Sequence, residues 1–303
     1  MFETRFYADE EKAAAIARRL YDDFYGQKGF FQGYRMPEYI LPNNLVEGSK
    51  DHALYLTYVI SIDYMTDAVK LWHNARGTYC IYPERFDPKA ILTLGDRTLT
   101  SFLRGLGARY PEAGMKAWRT ISRILIEKYG GDPRNITPEP KTIQQLKSEL
   151  KQFPYLRGNK LSNFYLRTMG EKGLLKISDF PELDIPVDIQ VARFTLYTGV
   201  LRIMSDSFEG CVHKDPLRSL IEEAWRNAAK RINTYPWKLD EPIWTVGSKL
   251  CAKRSCDNCP VEDLCDKVKG IRFKDAIVLW QRAAGVGWSK KNTPHRQPVE
   301  AAV

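Results

Sequence analysis

Residues 153–167 read FPYLRGNKLSNFYLR. Apolar Phe153 and Leu156 close one segment, and Gly158 supplies the freedom for a tight turn. Leu161, Phe164, Tyr165 and Leu166 then recur at helical spacing, so a second helix is predicted over 160–170. Two helices joined by so short a turn form a hairpin. The N-terminus of its second helix points backbone N–H groups outward, which suits a phosphate. Lys160 falls in the first turn of that helix and is a candidate nucleophilic amine. An ordinary surface lysine is the alternative reading.

Downstream, residues 185–194 read IPVDIQVARF. Asp188 follows a Pro-containing apolar stretch and precedes an apolar helix, so it is placed as an N-cap. A cap carboxylate that also faces a cleft can stabilise a developing cation and handle protons. Further on, Cys251, Cys256, Cys259 and Cys265 follow the pattern C-x4-C-x2-C-x5-C. Zinc takes four-cysteine sites, commonly as two C-x2-C knuckles. This chain has one C-x2-C flanked by longer spacers, which suits an iron–sulfur cube held by a single loop. Zinc stays open as the second choice. Lys249, Lys253, Arg254 and Lys267 put cations beside the cage.

The remaining pattern is helical. Helices are predicted at 9–26, 51–72, 87–93, 96–106, 112–129, 141–150, 189–204, 216–232 and 273–284. Period-2 strands are scarce, and the fold class is all-α. Segment 112–129 carries Lys116, Arg119, Arg123 and Lys128 on a basic face. Cys80 and Cys211 are isolated and read as small buried hydrophobes.

With 303 residues the chain can hold two domains, and 44% hydrophobic residues is ordinary for a globular protein. The formal charge of +9 and pI of about 9.1 favour an anionic partner. The first residues contain no signal-peptide pattern. No apolar run approaches the roughly 18 residues that cross a bilayer. The expectation is a cytoplasmic protein without a membrane partner, nucleoid-associated in a prokaryote, whose clustered cysteines bind metal.

These residues resemble the helix-hairpin-helix DNA glycosylases of the endonuclease III superfamily. The family hairpin has the form LPGVGRKTAN, with the catalytic lysine after the last glycine. PYLRGNKLSN is similar to it and aligns Lys160 with that lysine. The resemblance makes Tyr155, Leu156, Arg157, Gly158 and Asn159 the DNA-binding hairpin. VDIQVARF is similar to the family's segment with an essential aspartate and aligns Asp188 there. The family's cluster loop has the form C-x6-C-x2-C-x5-C and often ends in EDLC. This chain ends VEDLC and shares the last two spacers. SIDYMTD at 61–67 resembles a family segment whose glutamine fills the gap left by the flipped base, with Asp63 or Tyr64 in its place.

The resemblance implies a two-domain helical glycosylase fold with a C-terminal [4Fe-4S] loop. It implies base excision with AP lyase activity on double-stranded DNA containing a damaged base, by a monomer. The expected organisation is an N-terminal helix and loop at 1–48, which packs on the cluster domain. A hairpin core at 49–205 follows, then C-terminal helices with the cluster loop at 206–288 and a disordered tail at 289–303. The hairpin has one extra residue, the Lys160–Asp188 spacing is long, and the first cysteine spacer is x4. No member's base specificity carries over. Two other classes compete: a non-catalytic iron–sulfur protein that senses lesions or junctions, and a zinc-stabilised helical module that binds RNA.

Overall fold

The structure is a computed structural model and describes residues 4–282. It divides into two compact units: Met1–Tyr34 together with Asp184–Val303, and the continuous stretch Arg35–Leu183. The expected tail at 289–303 lies outside the described residues.

The discontinuous unit begins with strand β1 (Arg5–Ala8) and helix α1 (Glu10–Tyr25). Asp9 caps α1 by accepting from the Lys12 amide, and Ala13, Ile16, Ala17 and Leu20 form the buried stripe. The continuous unit follows with α2 (Lys50–Ile62), α3 (Ala68–Ile81), α4 (Pro88–Thr93) and α5 (Asp96–Leu106). It ends with α6 (Pro111–Tyr129), α7 (Ile143–Leu150) and α8 (Asn159–Glu171). Its core gathers Tyr58, Phe86, Phe102 and Trp118, whose rings meet in tilted and edge-on pairs. The chain then returns to the first unit with α9 (Ile189–Thr198), β2 (Leu201–Met204) and β3 (Ser207–Cys211). It continues with α10 (Leu217–Arg231), α11 (Asp240–Lys249), β4 (Ile271–Lys274) and β5 (Ile277–Gln281).

The mostly helical class holds, and several boundaries differ from the sequence expectation. The helix expected at 51–72 is two. α2 stops at Ile62, Met65 takes φ 52°, and Asp67 caps α3 through the Lys70 amide. The helix expected at 189–204 ends at Thr198, because Gly199 takes the left-handed φ of 78° and the chain turns into β2. β2 pairs antiparallel with β1, in register Arg5↔Met204 to Ala8↔Leu201.

The helix expected at 273–284 is a β-hairpin, β4–β5, completed by β3 in the order β3-β5-β4. Its determinant is a period-2 alternation: Ile271, Val278 and Trp280 are buried, while Arg272, Lys274, Ile277 and Gln281 are exposed. Asp275 makes the turn at φ 53°. Cys80 is exposed and Cys211 half-buried, so neither is the buried hydrophobe expected. Ile81 and Tyr82 beside Cys80 are also exposed, at the surface end of α3.

Candidate active site

In the continuous unit the hairpin is set by its apolar residues. Leu150, Phe153 and Leu156 are buried, and Phe153 stacks on Tyr129 with ring centroids 6.1 Å apart. Between them Tyr155 takes φ 65°, which lets the Leu156 amide reach the Pro154 carbonyl and the Gly158 amide reach Tyr155. Gly158 then opens α8 without any side-chain cap. The head of the helix is therefore made of backbone N–H groups, with exposed Arg157 and Asn159 on either side of the glycine.

Lys160 is half-buried, and its Nζ donates to the Asp63 carbonyl oxygen at 3.3 Å. That carbonyl lies where α2 ends, and the Asp63 carboxylate accepts from Trp72 Nε1 at 3.1 Å. Asp63 is 5% exposed and Tyr64 is 37% exposed. The two residues expected near the flipped base therefore part company. Asp63 turns into the protein, while Tyr64 lies against Tyr155, with centroids 5.8 Å apart and rings at 45°. Burial, then Tyr64 and Tyr110, hold the Tyr155 hydroxyl above its ordinary value.

Two turns past Lys160 on α8, Arg167 forms a fully buried pair with Glu38 at 2.5 Å. Arg167 also reaches the Tyr39 hydroxyl at 3.4 Å and lies 5.2 Å from the Phe164 ring. Burial holds the Glu38 carboxyl above its usual range even though Arg167 pulls the other way. Sequence reasoning missed this pair, because its partners are 129 residues apart.

In the discontinuous unit Asp188 caps α9. Its Oδ1 accepts from the Gln190 amide at 2.7 Å and the Val191 amide at 3.0 Å. Its Oδ2 accepts from Trp244 Nε1 at 3.1 Å. Both oxygens are thus oriented and the group is half-buried. Trp244 reaches it because α9 and α11 pack at backbone distance: a Cβ on Gly247 would lie 2.4 Å from the Gln190 carbonyl oxygen.

The four cysteines line one cavity in the same unit, with Phe194, Tyr197 and Leu250 on its apolar side. The hollow measures about 450 Å³, open solvent included. Burial, then the Cys259, Cys265 and Cys256 thiols, push the Cys251 thiol up to about 12; burial also raises Cys259 and Cys265. A bound cation would reverse this cost, since metal ligation deprotonates thiols outright. Among the described residues no three His, Cys, Asp or Glu side chains converge tightly enough to grip a single ion.

The loop is tied down at both ends. The Arg254 guanidinium lies 3.7 Å from the centre of the Tyr197 ring and donates to the Val268 carbonyl at 3.2 Å. Asp266 is held by Lys12 and by Arg202 Nη2 at 2.8 Å, and its amide bonds to the Thr198 carbonyl. Gly199 makes room: a Cβ there would lie 2.1 Å from Asp266 Oδ2.

The comparisons fall on these features. The family model AGOG, an N-glycosylase/DNA lyase, matches residues 159–273, a span holding Lys160, Asp188 and all four cysteines. A comparison with curated proteins gives no match. Among solved structures, a thermostable thymine-DNA glycosylase is similar with a TM-score of 0.54 at 14% identity, covering 85% of this chain and 96% of that one. A trapped endonuclease III–DNA covalent intermediate, an estranged-adenine complex, is similar at 0.53 and 16%, covering 84% and 96%. A non-covalent endonuclease III–DNA complex gives 0.53 and 16%, covering 84% and 95%. At such identities the structures speak for the fold, and the family model speaks for the segment 159–273. Together they show that the chain has the fold of these helix-hairpin-helix glycosylases and that its residues 159–273 are similar to the AGOG N-glycosylase/DNA lyase family.

Proposed function

We propose that this protein is a bifunctional DNA glycosylase of the endonuclease III superfamily: it removes a damaged or mismatched base from double-stranded DNA and then cleaves the strand as an AP lyase, acting as a monomer. The observation that carries the reading is the Lys160 amine, half-buried at the head of the hairpin helix and held by the Asp63 carbonyl. Lysine is the residue that separates a lyase from a purely hydrolytic glycosylase, because only an amine forms a Schiff base.

Chemistry on a base requires its extrusion from the stack. Hairpin residues 155–159 would receive the phosphate backbone through the uncapped head of α8, since the Leu156 and Gly158 amides are bonded within the turn, and Tyr64 beside Tyr155 is the better placed of the two gap-filling candidates. The Lys160 nitrogen attacks C1′ while the bond from C1′ to the base breaks, and the base leaves as it takes up a proton. The Asp188 carboxylate, oriented by two amides and Trp244, stabilises the positive charge that develops on the sugar and accepts the proton shed by the attacking amine. Ring opening gives the Schiff base. Loss of a C2′ proton then breaks the C3′–O bond and cuts the strand 3′ to the lesion.

Cys251, Cys256, Cys259 and Cys265 would hold a [4Fe-4S] cluster. A zinc ion needs four sulfurs about 2.3 Å from one centre. A four-iron cube puts its own atoms between the thiolates, which fits sulfurs spread around the wall of one cavity. With four protein ligands and no open coordination position, the group would hold the loop in place.

Borohydride reduction of the enzyme on duplexes carrying an abasic site or a panel of damaged bases tests the reading. The expected result is a covalent protein–DNA adduct that Lys160→Ala abolishes. Base release without trapping would reduce the activity to a hydrolytic glycosylase. Tight binding without base release would make the protein a lesion sensor.

A further inference from the structure

We propose that the outer face of the β4–β5 hairpin is a second contact surface for the phosphate backbone of duplex DNA, built around Arg272 and Lys274. The inference rests on the DNA-directed reading of the protein and adds a surface that neither the hairpin at 155–159 nor the cluster loop supplies.

In β4 successive side chains alternate faces, so Ile271 and Phe273 turn inward while Arg272 and Lys274 turn outward together. The inward face is anchored. Ile271 is buried, and Phe273 packs on Tyr197 with centroids 6.0 Å apart while the Arg193 guanidinium lies 5.0 Å from its ring centre. Both partners belong to α9, the helix that Asp188 caps. The chain leading into β4 is bonded to the end of the same helix, through the Asp266 amide to Thr198 and the Val268 amide to Tyr197. Arg272 and Lys274 are therefore mounted rigidly with respect to Asp188.

Positive charge is in excess around them. In the loop and hairpin, Glu262 is paired with Lys267, Asp263 with Arg19, and Asp266 with Lys12 and Arg202. That leaves Lys253, Arg254, Lys269, Arg272 and Lys274, all exposed and without an acidic partner among the described residues, against the exposed carboxylates of Asp257 and Asp275. Within the strands the nearest opposing charge is Glu209 of β3, on the far side of β5, since Arg272 pairs with Leu279 and Leu279 with Glu209; the one acid beside the pair is Asp275 in the turn, a single carboxylate against two cations. An edge strand with outward cations and a buried inner face is complementary to a polyanion. Duplex DNA presents a regular row of phosphates to meet it.

The test uses the full-length protein and the double variant Arg272→Thr with Lys274→Thr, which keeps strand-forming residues at both positions. Duplex affinity is measured against salt concentration, on intact DNA and on DNA with an abasic-site analogue. Losing two phosphate contacts should flatten the log–log salt slope by about 1.8, which is about a 60-fold loss between 1 M and 0.1 M salt. The loss should be the same for both duplexes, since phosphate contacts carry no sequence information. A charge-matched double variant on the other unit, Lys89→Ser with Arg97→Ser, should leave slope and affinity nearly unchanged. An unaltered slope in the hairpin variant, or an equal loss in the control, overturns the surface while leaving the glycosylase reading intact. If the first variant fails to fold, as read by circular dichroism, the single variants Arg272→Gln and Lys274→Gln should each flatten the slope by about 0.9. Failure of the wild-type protein to bind any duplex overturns both readings.

Discussion

Arg167→Met should cost the continuous unit a large part of its stability, and the deficit should depend on pH in a defined direction. Arg167 is 0% exposed, Glu38 is 2% exposed, and the two are 2.5 Å apart. Methionine fills most of the arginine's volume, so the principal change is a buried carboxylate stripped of its cation. Breaking a buried pair from one side costs about 3–5 kcal/mol. At roughly 2–4 °C per kcal/mol for a unit of this size, Tm should fall by roughly 6–20 °C.

The sign of the pH effect comes from Glu38. Its carboxyl already sits above its ordinary value because of burial, so the folded state holds that proton more tightly than the unfolded chain. Its contribution is full below the unfolded value and is lost as pH rises through the folded one. Removing Arg167 takes away the charge that pulls the group down, and the window widens upward. The deficit of the variant should therefore be greatest above neutrality and shrink toward pH 5. Denaturant unfolding of wild type and variant at pH 5 and pH 8 measures it. The double variant Arg167→Met with Glu38→Leu should recover most of the loss. A deficit under about 1 kcal/mol at pH 8, or a double variant no better than the single one, would refute the reasoning.

Two further outcomes are expected. Gly199→Ala should strain a left-handed residue, at about 1–2 kcal/mol, and drive a Cβ into Asp266 Oδ2. Because Asp266 adjoins Cys265, iron content and the absorbance of the purified protein should fall along with Tm; unchanged iron content would show that the Asp266 anchorage is dispensable. Trp244→Phe removes the donor to Asp188 Oδ2 and leaves the two amide bonds to Oδ1 in place. A hydrogen bond to a charged group is worth about 1.5–3 kcal/mol, so single-turnover base release should slow by about 10- to 100-fold, whereas substrate binding should barely change.

Much of the site could be read in the sequence because its determinants are local. The hairpin follows from Gly158 between two apolar clusters, and the Asp188 cap follows from its place before IQVARF; both are observed. The β4–β5 hairpin is also local, yet its apolar content predicts a helix over 273–284. Strands of four and five residues are too short for apolar content to separate the two periods, and the alternation of Ile271 with Phe273 and Val278 with Trp280 is the better signal. The break between α2 and α3 depends on a positive φ at Met65, a residue that carries no such preference. The Glu38–Arg167 pair and the seat of Asp266 on Lys12 and Arg202 join residues far apart in the chain, and no periodicity announces them.

The pairing of β1 with β2 has a consequence for how the protein is made. The partners of Arg5–Ala8 are Leu201–Met204, and the Asp9 amide that precedes α1 bonds to the Val200 carbonyl. At roughly 5–20 residues per second, about 10–40 s pass on the ribosome between the emergence of the two strands. All of 35–183 is synthesised in that interval and can close its own core first. Helix α1, with Ile16 and Leu20 on its apolar stripe, emerges early and is seated late. For those seconds it is the segment that a chaperone, or a neighbouring nascent chain, would meet.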